Sequence, residues 1–262
     1  MPFQQWLLVN IPTWVIATVM LSVAVGTAVG GVLLVRRIFD VGNMKRHHDI
    51  AGPIFSTIGV VYAVLLAFAI VIVWQDFDQT QNDVILEANY YGDIYRDSVG
   101  LPEPLRSQLK AGMDDYINAI IDDEWKLLAV GQRSIIVQEK SDKIWKMYGE
   151  FEPKTEKEKI FFAEILNRAN TAGELRRQRL ADASTGIHPV LWFVLLFGGI
   201  ITIGFTFFFG SENLGAQLIM TTLLAVLIVL ILFTILIMDF PFSGDLNIPP
   251  DAFKLVLMHL KS

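Results

Sequence analysis

The hydrophobic and polar positions divide the chain into four long runs without Asp, Glu, Lys or Arg, separated by charged segments. The runs cover residues 1–35, 50–75, 187–211 and 213–238. Each is long enough to cross a hydrocarbon core of about 30 Å as an α-helix, which needs roughly 20 residues. The pattern therefore predicts an all-α integral membrane protein with four transmembrane helices, the first of them near residues 11–35.

The second span is expected to continue beyond the membrane. Residues 51–74 carry no charge and would form about 36 Å of helix. The sequence turns acidic after Trp74, yet no Gly or Pro occurs before Gly92. A single helix should therefore leave the bilayer and enter water without a break.

A large insert at residues 75–186 separates spans two and three. Apolar residues recur at helical spacing over 105–130 and after Thr155, where Thr155 and Glu158 match a capping box. The pattern predicts a helical extramembrane bundle whose first and last helices are continuous with spans two and three. The predicted chain thus consists of four parts: spans one and two over 1–74 with a basic loop at 36–49, the insert over 75–186, spans three and four over 187–238, and a Pro-rich connector with an amphipathic helix over 239–262.

Charge predicts the orientation of the chain. The loop at 36–49 holds four basic residues against two acidic ones, which favours a cytoplasmic loop and places the insert outside a bacterial inner membrane or its equivalent. The insert, with 21 acidic and 15 basic residues, is compatible with that side. Four arginines of the insert lie close to span three, and by the same rule they favour a cytoplasmic insert.

Several classes of function have no matching residues. The chain contains no cysteine, which excludes thiolate catalysis, iron–sulfur clusters and cysteine-based zinc sites. It shows no phosphate loop, serine triad or zincin motif, so we do not expect an enzyme. No nucleic-acid partner is expected either. Because Tyr62 is the only ionisable residue deep inside a span, a proton-coupled carrier is disfavoured. His47 and His48 are adjacent and would point about 100° apart on a helix, so no metal site is predicted there.

A stripe of small residues marks one face of span two. Its members are spaced by four, three, four and four residues: Gly52, Ser56, Gly59, Ala63 and Ala67. Such a face can line a pore or allow close contact in a homo-oligomer, and it can equally serve ordinary tight helix packing. Phe55 and Phe68 are candidates for hydrophobic constrictions. Tyr62 lies on another face, near the predicted middle of the membrane, where its hydroxyl needs a partner.

Three acidic residues follow span two on one helical face. Asp76, Asp83 and Glu87 are spaced by seven and four, and repeated around a symmetric assembly they would form an acidic vestibule that concentrates cations and could hold Ca²⁺. The alternative is structural. Counted from the membrane edge, Asp83 and Arg179 should lie at the same height, about 12 Å above it, and would then form an ion pair.

Two stretches carry a family resemblance: HHDIAGPIFSTIGVVYAVLLAFAIVIVWQDF at 47–77 and MDFPFSGDLNIPPDAF at 238–253. With the four-span plan, they make the chain resemble the bestrophin-like domain family over essentially its whole length. A relation to bestrophins would imply a pentameric, calcium-activated anion channel. Span two would then be the pore helix, with Phe55, Tyr62 or Phe68 in the place of the aromatic neck. In bestrophins the mass corresponding to the insert is cytoplasmic, whereas the loop charges predict the outer side here.

The leading hypothesis is a homo-oligomeric ion channel in the lipid bilayer. Its pore would be lined by Ser56, Gly59, Tyr62 and Ala63, and the acidic vestibule would favour cations as the permeating ion. A bestrophin-like anion channel is the first alternative. A non-conducting membrane scaffold or sensor, in which the small-residue stripe serves packing alone, is the second.

Overall fold

The computed structural model describes residues 1–39, 48–211 and 213–261, and within these ranges it contains helices and no strand. The α-helices are α1 (Phe3–Asn10), α2 (Thr13–Ile38), α3 (His48–Asp97), α4 (Leu105–Ala119), α5 (Trp125–Leu128), α6 (Ile135–Glu150), α7 (Glu156–Asp182), α8 (Pro189–Thr206), α9 (Leu214–Met238) and α10 (Asp251–Lys261). A 3₁₀ turn follows α3 at Ser98–Gly100, and a π-helical turn joins α4 to α5 at Ile120–Glu124. The all-helical class predicted from the sequence is confirmed.

The chain divides into two compact units. The membrane unit comprises Asn10–Gln75 and Gly186–Asp239. The extramembrane unit comprises Met1–Val9, Asp76–Thr185 and Phe240–Ser262. The insert predicted at 75–186 thus corresponds to Asp76–Thr185, and α3 passes from one unit into the other as one 50-residue helix.

Among the described residues, four helices are long and apolar enough to cross a membrane, namely α2, α3, α8 and α9. Within the membrane unit, α2 packs along α9 through Ala24, Ala28 and Ala225, whose small side chains let the two backbones approach closely. The last turn of α2 carries Arg36, whose Nε donates to Gln217 Oε1 at 2.8 Å on α9. The predicted basic loop lies largely outside the described residues, because positions 40–47 are not among them.

Helices α7 and α8 are separate, which differs from the continuous helix expected from sequence. Helix α7 ends at Asp182, and α8 starts at Pro189 after the N-cap His188, whose Nδ1 accepts from the Val190 amide at 3.3 Å. Proline at the first helical position suits a helix start, because its missing N–H would have no partner there. The sequence between them therefore interrupts the helix instead of extending it.

The core of the extramembrane unit includes the C-terminal segment. Phe242, Ile248 and Phe253 are buried with the residues of α4, α6 and α7. Trp125 Nε1 donates to the Ile248 carbonyl oxygen at 2.9 Å, which fixes the connector ahead of α10. The amphipathic helix predicted within 239–262 is therefore α10, and its apolar face packs into this core.

The N-terminal residues also belong to the extramembrane unit, whereas the sequence prediction grouped residues 1–74 with the membrane helices. Helix α1 ends at Asn10, and Pro12 precedes α2. Gln5 is fully buried, and its Nε2 donates to the Ala183 carbonyl at 2.9 Å and to Ser243 Oγ at 3.2 Å. One buried amide thus holds α1 to distant segments of the chain, through contacts that hydropathy does not reveal.

Candidate functional site

The small-residue stripe of α3 is left largely uncovered by the chain itself. Ser56, Ala63 and Ala67 are exposed, and a Cβ added at Gly52 or Gly59 would meet no atom within 4 Å among the described residues. The Ser56 hydroxyl donates to the Gly52 carbonyl at 3.0 Å, so its oxygen still presents lone pairs to the outside. This stripe is a surface available to water, lipid or another protein chain.

Tyr62 lies on a different face of α3 from this stripe. It is 4% exposed, and its hydroxyl donates to the Leu195 carbonyl of α8 at 2.8 Å. Its ring is so close to α8 that a Cβ at Gly198 would lie 2.6 Å from Tyr62 Cδ2. The prediction that Tyr62 lines a pore together with Ser56, Gly59 and Ala63 is therefore corrected, because its side chain is used in packing inside the membrane unit.

The two phenylalanines predicted as constrictions also lie on different faces of α3. Phe55 is partly buried and packs against Phe205 and Phe209, with ring centroids 5.6 and 5.3 Å away. Phe68 is 65% exposed. At about 100° per residue, the two lie roughly 140° apart around the helix. Of the two, Phe68 is the one whose ring is free of this internal packing.

Glu87 is not a water-facing vestibule residue. Its side chain is fully buried and accepts from Arg179 through two bonds, Nε to Oε2 at 2.6 Å and Nη2 to Oε1 at 3.0 Å. The predicted vestibule is corrected at this position, because the bidentate arginine holds the carboxylate inside the bundle.

Arg179 pairs with Glu87 and not with Asp83. The ion pair expected from sequence therefore had the correct arginine, but its acidic partner lies one helical turn further along α3. Asp83 instead accepts from Gln79 Nε2 at 2.7 Å. The estimate of equal height assumed a continuous helix from the insert into span three. The break between Asp182 and Pro189 invalidates that count.

Glu124 extends this pair into a buried four-residue network. It accepts from Arg179 Nη2 at 3.0 Å and from Arg176 Nη2 at 2.7 Å. Burial disfavours the charged form of Glu124, but Arg179 and Arg176 outweigh burial and lower its pKa. The π-helical turn ends at Glu124, where a local change of helix pitch can direct a side chain inward.

Two aromatic rings flank the Arg179 guanidinium. Its Cζ lies 5.1 Å from the Trp125 ring centroid and 5.6 Å from that of Phe253. Burial disfavours a charged guanidinium, yet the attraction of Glu87 and Glu124 raises the pKa of Arg179. Arg179 therefore joins α3, the π-helical turn and α10 while keeping its charge.

A third carboxylate, Asp182, lies near Asp76 and Asp83. Asp182 accepts from Gln178 Nε2 at 2.8 Å, and Thr80 Oγ1 lies 3.0 Å from its Oδ2. Burial raises the pKa of Asp182, and the negative charges of Asp83 and Asp76 raise it further. The acidic group just beyond the second span therefore consists of Asp76, Asp83 and Asp182. Sequence spacing missed Asp182 because it comes from another helix.

No metal-binding group is formed by this acidic set within one chain. Among residues 1–39, 48–211 and 213–261, no three His, Cys, Asp or Glu side chains are grouped so that they could hold a metal ion. A Ca²⁺ site at the vestibule stays a prediction.

Two comparisons with known proteins point to the same relationship. Residues 22–253 match the family model described as the bestrophin-like domain. The fold is similar to crystal structures of a bacterial bestrophin homologue from Klebsiella pneumoniae. One such structure has 10% identity and a TM-score of 0.69, and it covers 93% of this chain and 96% of that chain. A point variant has 11% identity and a TM-score of 0.68, with 94% and 99% covered. A search of curated proteins gave no match.

Proposed function

The chain belongs to the bestrophin-like domain family, and on that basis we propose that it assembles as a homo-oligomeric ion channel. The membrane location follows from four helices of sufficient length and hydropathy. The observation that carries the proposal furthest is that α3 presents an uncovered face of small residues inside the span and continues unbroken to an acidic group. A pore lined by one helix from each subunit would use the open face for the ion path and the carboxylates at its mouth.

The proposed pore surface is the stripe at Ser56, Gly59 and Ala63. Small side chains on a face that the subunit leaves open provide room for an axial path when several copies surround it. Tyr62 is assigned to packing and not to the pore. Phe68, which is exposed but lies about 140° from Ala63, is proposed to contact lipid or a neighbouring subunit instead of the same pore surface.

The proposed selectivity is for cations. Asp76 is exposed, and Asp83 and Asp182 reinforce its negative potential from close by. Repeated in each subunit, these carboxylates would raise the local cation concentration at one end of the path. Glu87 adds little to this field, because Arg179 neutralises it.

The extramembrane unit is proposed to lie outside the cytoplasm. Arg36 and Arg37 end the first span, and Lys45 and Arg46 follow in the same short connection. Cationic connections of this length are retained on the cytoplasmic side. Labelling of a cysteine introduced at Lys146, an exposed position of α6, by an impermeant reagent in intact cells would test this orientation.

The test of ion conduction is a recording from the purified full-length protein in planar bilayers under a potassium chloride gradient. A reversal potential near the potassium equilibrium value is expected. A value near the chloride equilibrium would overturn cation selectivity and favour the anion channel. Absence of current under voltage, calcium and membrane tension, with a monomeric protein in detergent, would overturn the channel itself and favour the scaffold.

A further inference from the structure

The extramembrane unit contains a cavity of about 510 Å³ between α3, α4, α6 and α7. Its floor is aromatic and buried, with Tyr91, Tyr116 and Tyr148 each at most 6% exposed. Its rim carries two exposed residues of opposite charge, Asp142 on α6 and Arg177 on α7. None of these features belongs to the proposed ion path.

Tyr148 supplies the specific signal for a ligand. It is 4% exposed, and its hydroxyl is buried without a hydrogen-bond partner among the described residues. Burial raises the pKa of Tyr148, so the hydroxyl keeps its proton and remains a donor. A buried hydroxyl without a partner is unfavourable, which makes a polar ligand atom at this place stabilising.

Five other polar side chains of the wall, Tyr91, Tyr116, Gln138, Asp142 and Arg176, are held by hydrogen bonds to one another. The hydroxyls of Tyr91 and Tyr116 are 3.0 Å apart, and Arg176 Nη1 donates to Gln138 Oε1 at 3.1 Å. Gln138 Nε2 in turn donates to Asp142 Oδ1 at 2.8 Å. The Asp142 carboxylate is therefore positioned at the rim with one oxygen still available.

Apolar side chains complete the cavity between floor and rim. Met113 and Ile144 are buried in its wall, and Trp145 is 40% exposed. A ligand that carries both charges at the opening and apolar atoms beside Met113, Ile144 and Trp145 would match these residues. It would also carry a hydrogen-bonding atom at the inner end, near Tyr148.

We propose that this cavity binds a zwitterionic amino acid whose long side chain ends in a hydrogen-bonding atom. Arg177 would hold the carboxylate and Asp142 the ammonium group. Tyr148 would bind the far end of the side chain. Small-molecule sites of this type combine an apolar lining with a few directed polar groups. The proposal extends beyond ion conduction and does not depend on it.

The test is calorimetric titration of the detergent-solubilised full chain with four probes that differ by one group. L-tyrosine is expected to bind best. Tyramine lacks the carboxylate, N-acetyl-L-tyrosine lacks the ammonium group, and L-phenylalanine lacks the hydroxyl. Loss of a charge-assisted contact should weaken binding by roughly tenfold or more, and loss of the hydroxyl by several-fold. No binding of L-tyrosine at millimolar concentration, or equal binding of all four, would overturn the proposal.

Variants assign each contact to its residue. Y148F should remove the preference for L-tyrosine over L-phenylalanine. R177Q should remove the preference for L-tyrosine over tyramine, and D142N should remove the preference for L-tyrosine over N-acetyl-L-tyrosine. E139Q and R133Q change exposed charges that do not line the cavity, and they should leave all four affinities unchanged. Preferences that survive in the three cavity variants would overturn the assignment, and the unfolding temperature of each variant verifies folding.

Discussion

Arg179 and Glu87 form a fully buried ion pair between residues 92 positions apart in sequence. Two hydrogen bonds join the guanidinium to the carboxylate, and Glu124 binds the same guanidinium from a third segment. Removing one partner of such a pair leaves an uncompensated charge in the interior. The pair therefore fixes how α3, α7 and the π-helical turn pack together within the extramembrane unit.

Replacing Arg179 by Met should strongly destabilise the extramembrane unit. Two buried carboxylates would lose their shared donor, and such losses cost about 3–5 kcal/mol. The free energy of unfolding by urea measures the effect. Arg177→Met removes the same charge from an exposed position two residues away, and it should cost less than about 0.5 kcal/mol. Equal losses of unfolding free energy in the two variants would show that the buried network stabilises the fold no more than an exposed charge does.

The contribution of Glu124 should disappear on acidification. Its pKa in the folded protein is lowered below the ordinary value of 4.5, so its ionised form stabilises the fold above that pH. The stabilisation is lost as the pH falls through the lowered value. Glu124→Gln should thus be less stable than wild type at pH 7, and the difference should shrink below about pH 4.5.

Glu139→Gln is the matched control for this pH dependence, because Glu139 is exposed on α6. Its unfolding free energy should follow that of the wild type at every pH. A difference between Glu124→Gln and wild type that stays constant from pH 7 to acid would refute the role assigned to the ionised carboxylate.

Hydropathy predicted the membrane helices because each span is a continuous run of uncharged residues in the sequence. It did not predict α1 ahead of the first span, because residues 1–10 belong to the same charge-free run as most of α2. The place of α1 depends on Gln5, whose partners Ala183 and Ser243 are far away in sequence. Long-range contacts of this kind leave no local pattern.

The candidate site was predictable only where one helix supplies it. Helical spacing alone places the small residues from Gly52 to Ala67 on one face of α3. In the structure this face is open at Gly52 and Gly59. Asp182 and the Glu87–Arg179 pair depend on the register between two helices. A break of six residues before Pro189 altered that register by one turn, which is enough to exchange Asp83 for Glu87.

Gly198→Ala should destabilise the packing of α3 on α8 in the membrane unit. The new Cβ would lie 2.6 Å from Tyr62 Cδ2, while the Tyr62 hydroxyl is held by Leu195. Overpacking of this kind costs about 1–3 kcal/mol. Gly204→Ala on the same helix meets nothing within 4 Å and serves as the control. Thermal unfolding in detergent should rank the two variants, and a Gly198→Ala protein as stable as Gly204→Ala would contradict this packing.

Cysteine accessibility should distinguish a pore surface from a packing surface on α3. The chain has no native cysteine, so Ser56→Cys and Ala63→Cys each introduce a single thiol. Modification by a charged, water-soluble thiol reagent should block current at both positions if they line the pore. Val61 is exposed about 160° away from Ala63, and Val61→Cys should remain unmodified in the bilayer. Protection of all three thiols would show that the stripe faces lipid or another chain and does not line a pore.

Asp76→Asn should lower cation conductance at low ionic strength and leave it nearly unchanged at high salt. The field of an exposed carboxylate extends about 30 Å at 0.01 M salt but only about 3 Å at 1 M. Single-channel conductance at the two salt concentrations measures the effect, and a reduction of roughly twofold or more is expected at the lower one. Asp78→Asn removes the same charge two residues later, from an exposed position about 160° around α3, and should have little effect. If both variants lower the conductance equally, the net charge of the protein is responsible instead of a vestibule at Asp76. If neither does, the acidic group formed with Asp83 and Asp182 does not face the path of the ions.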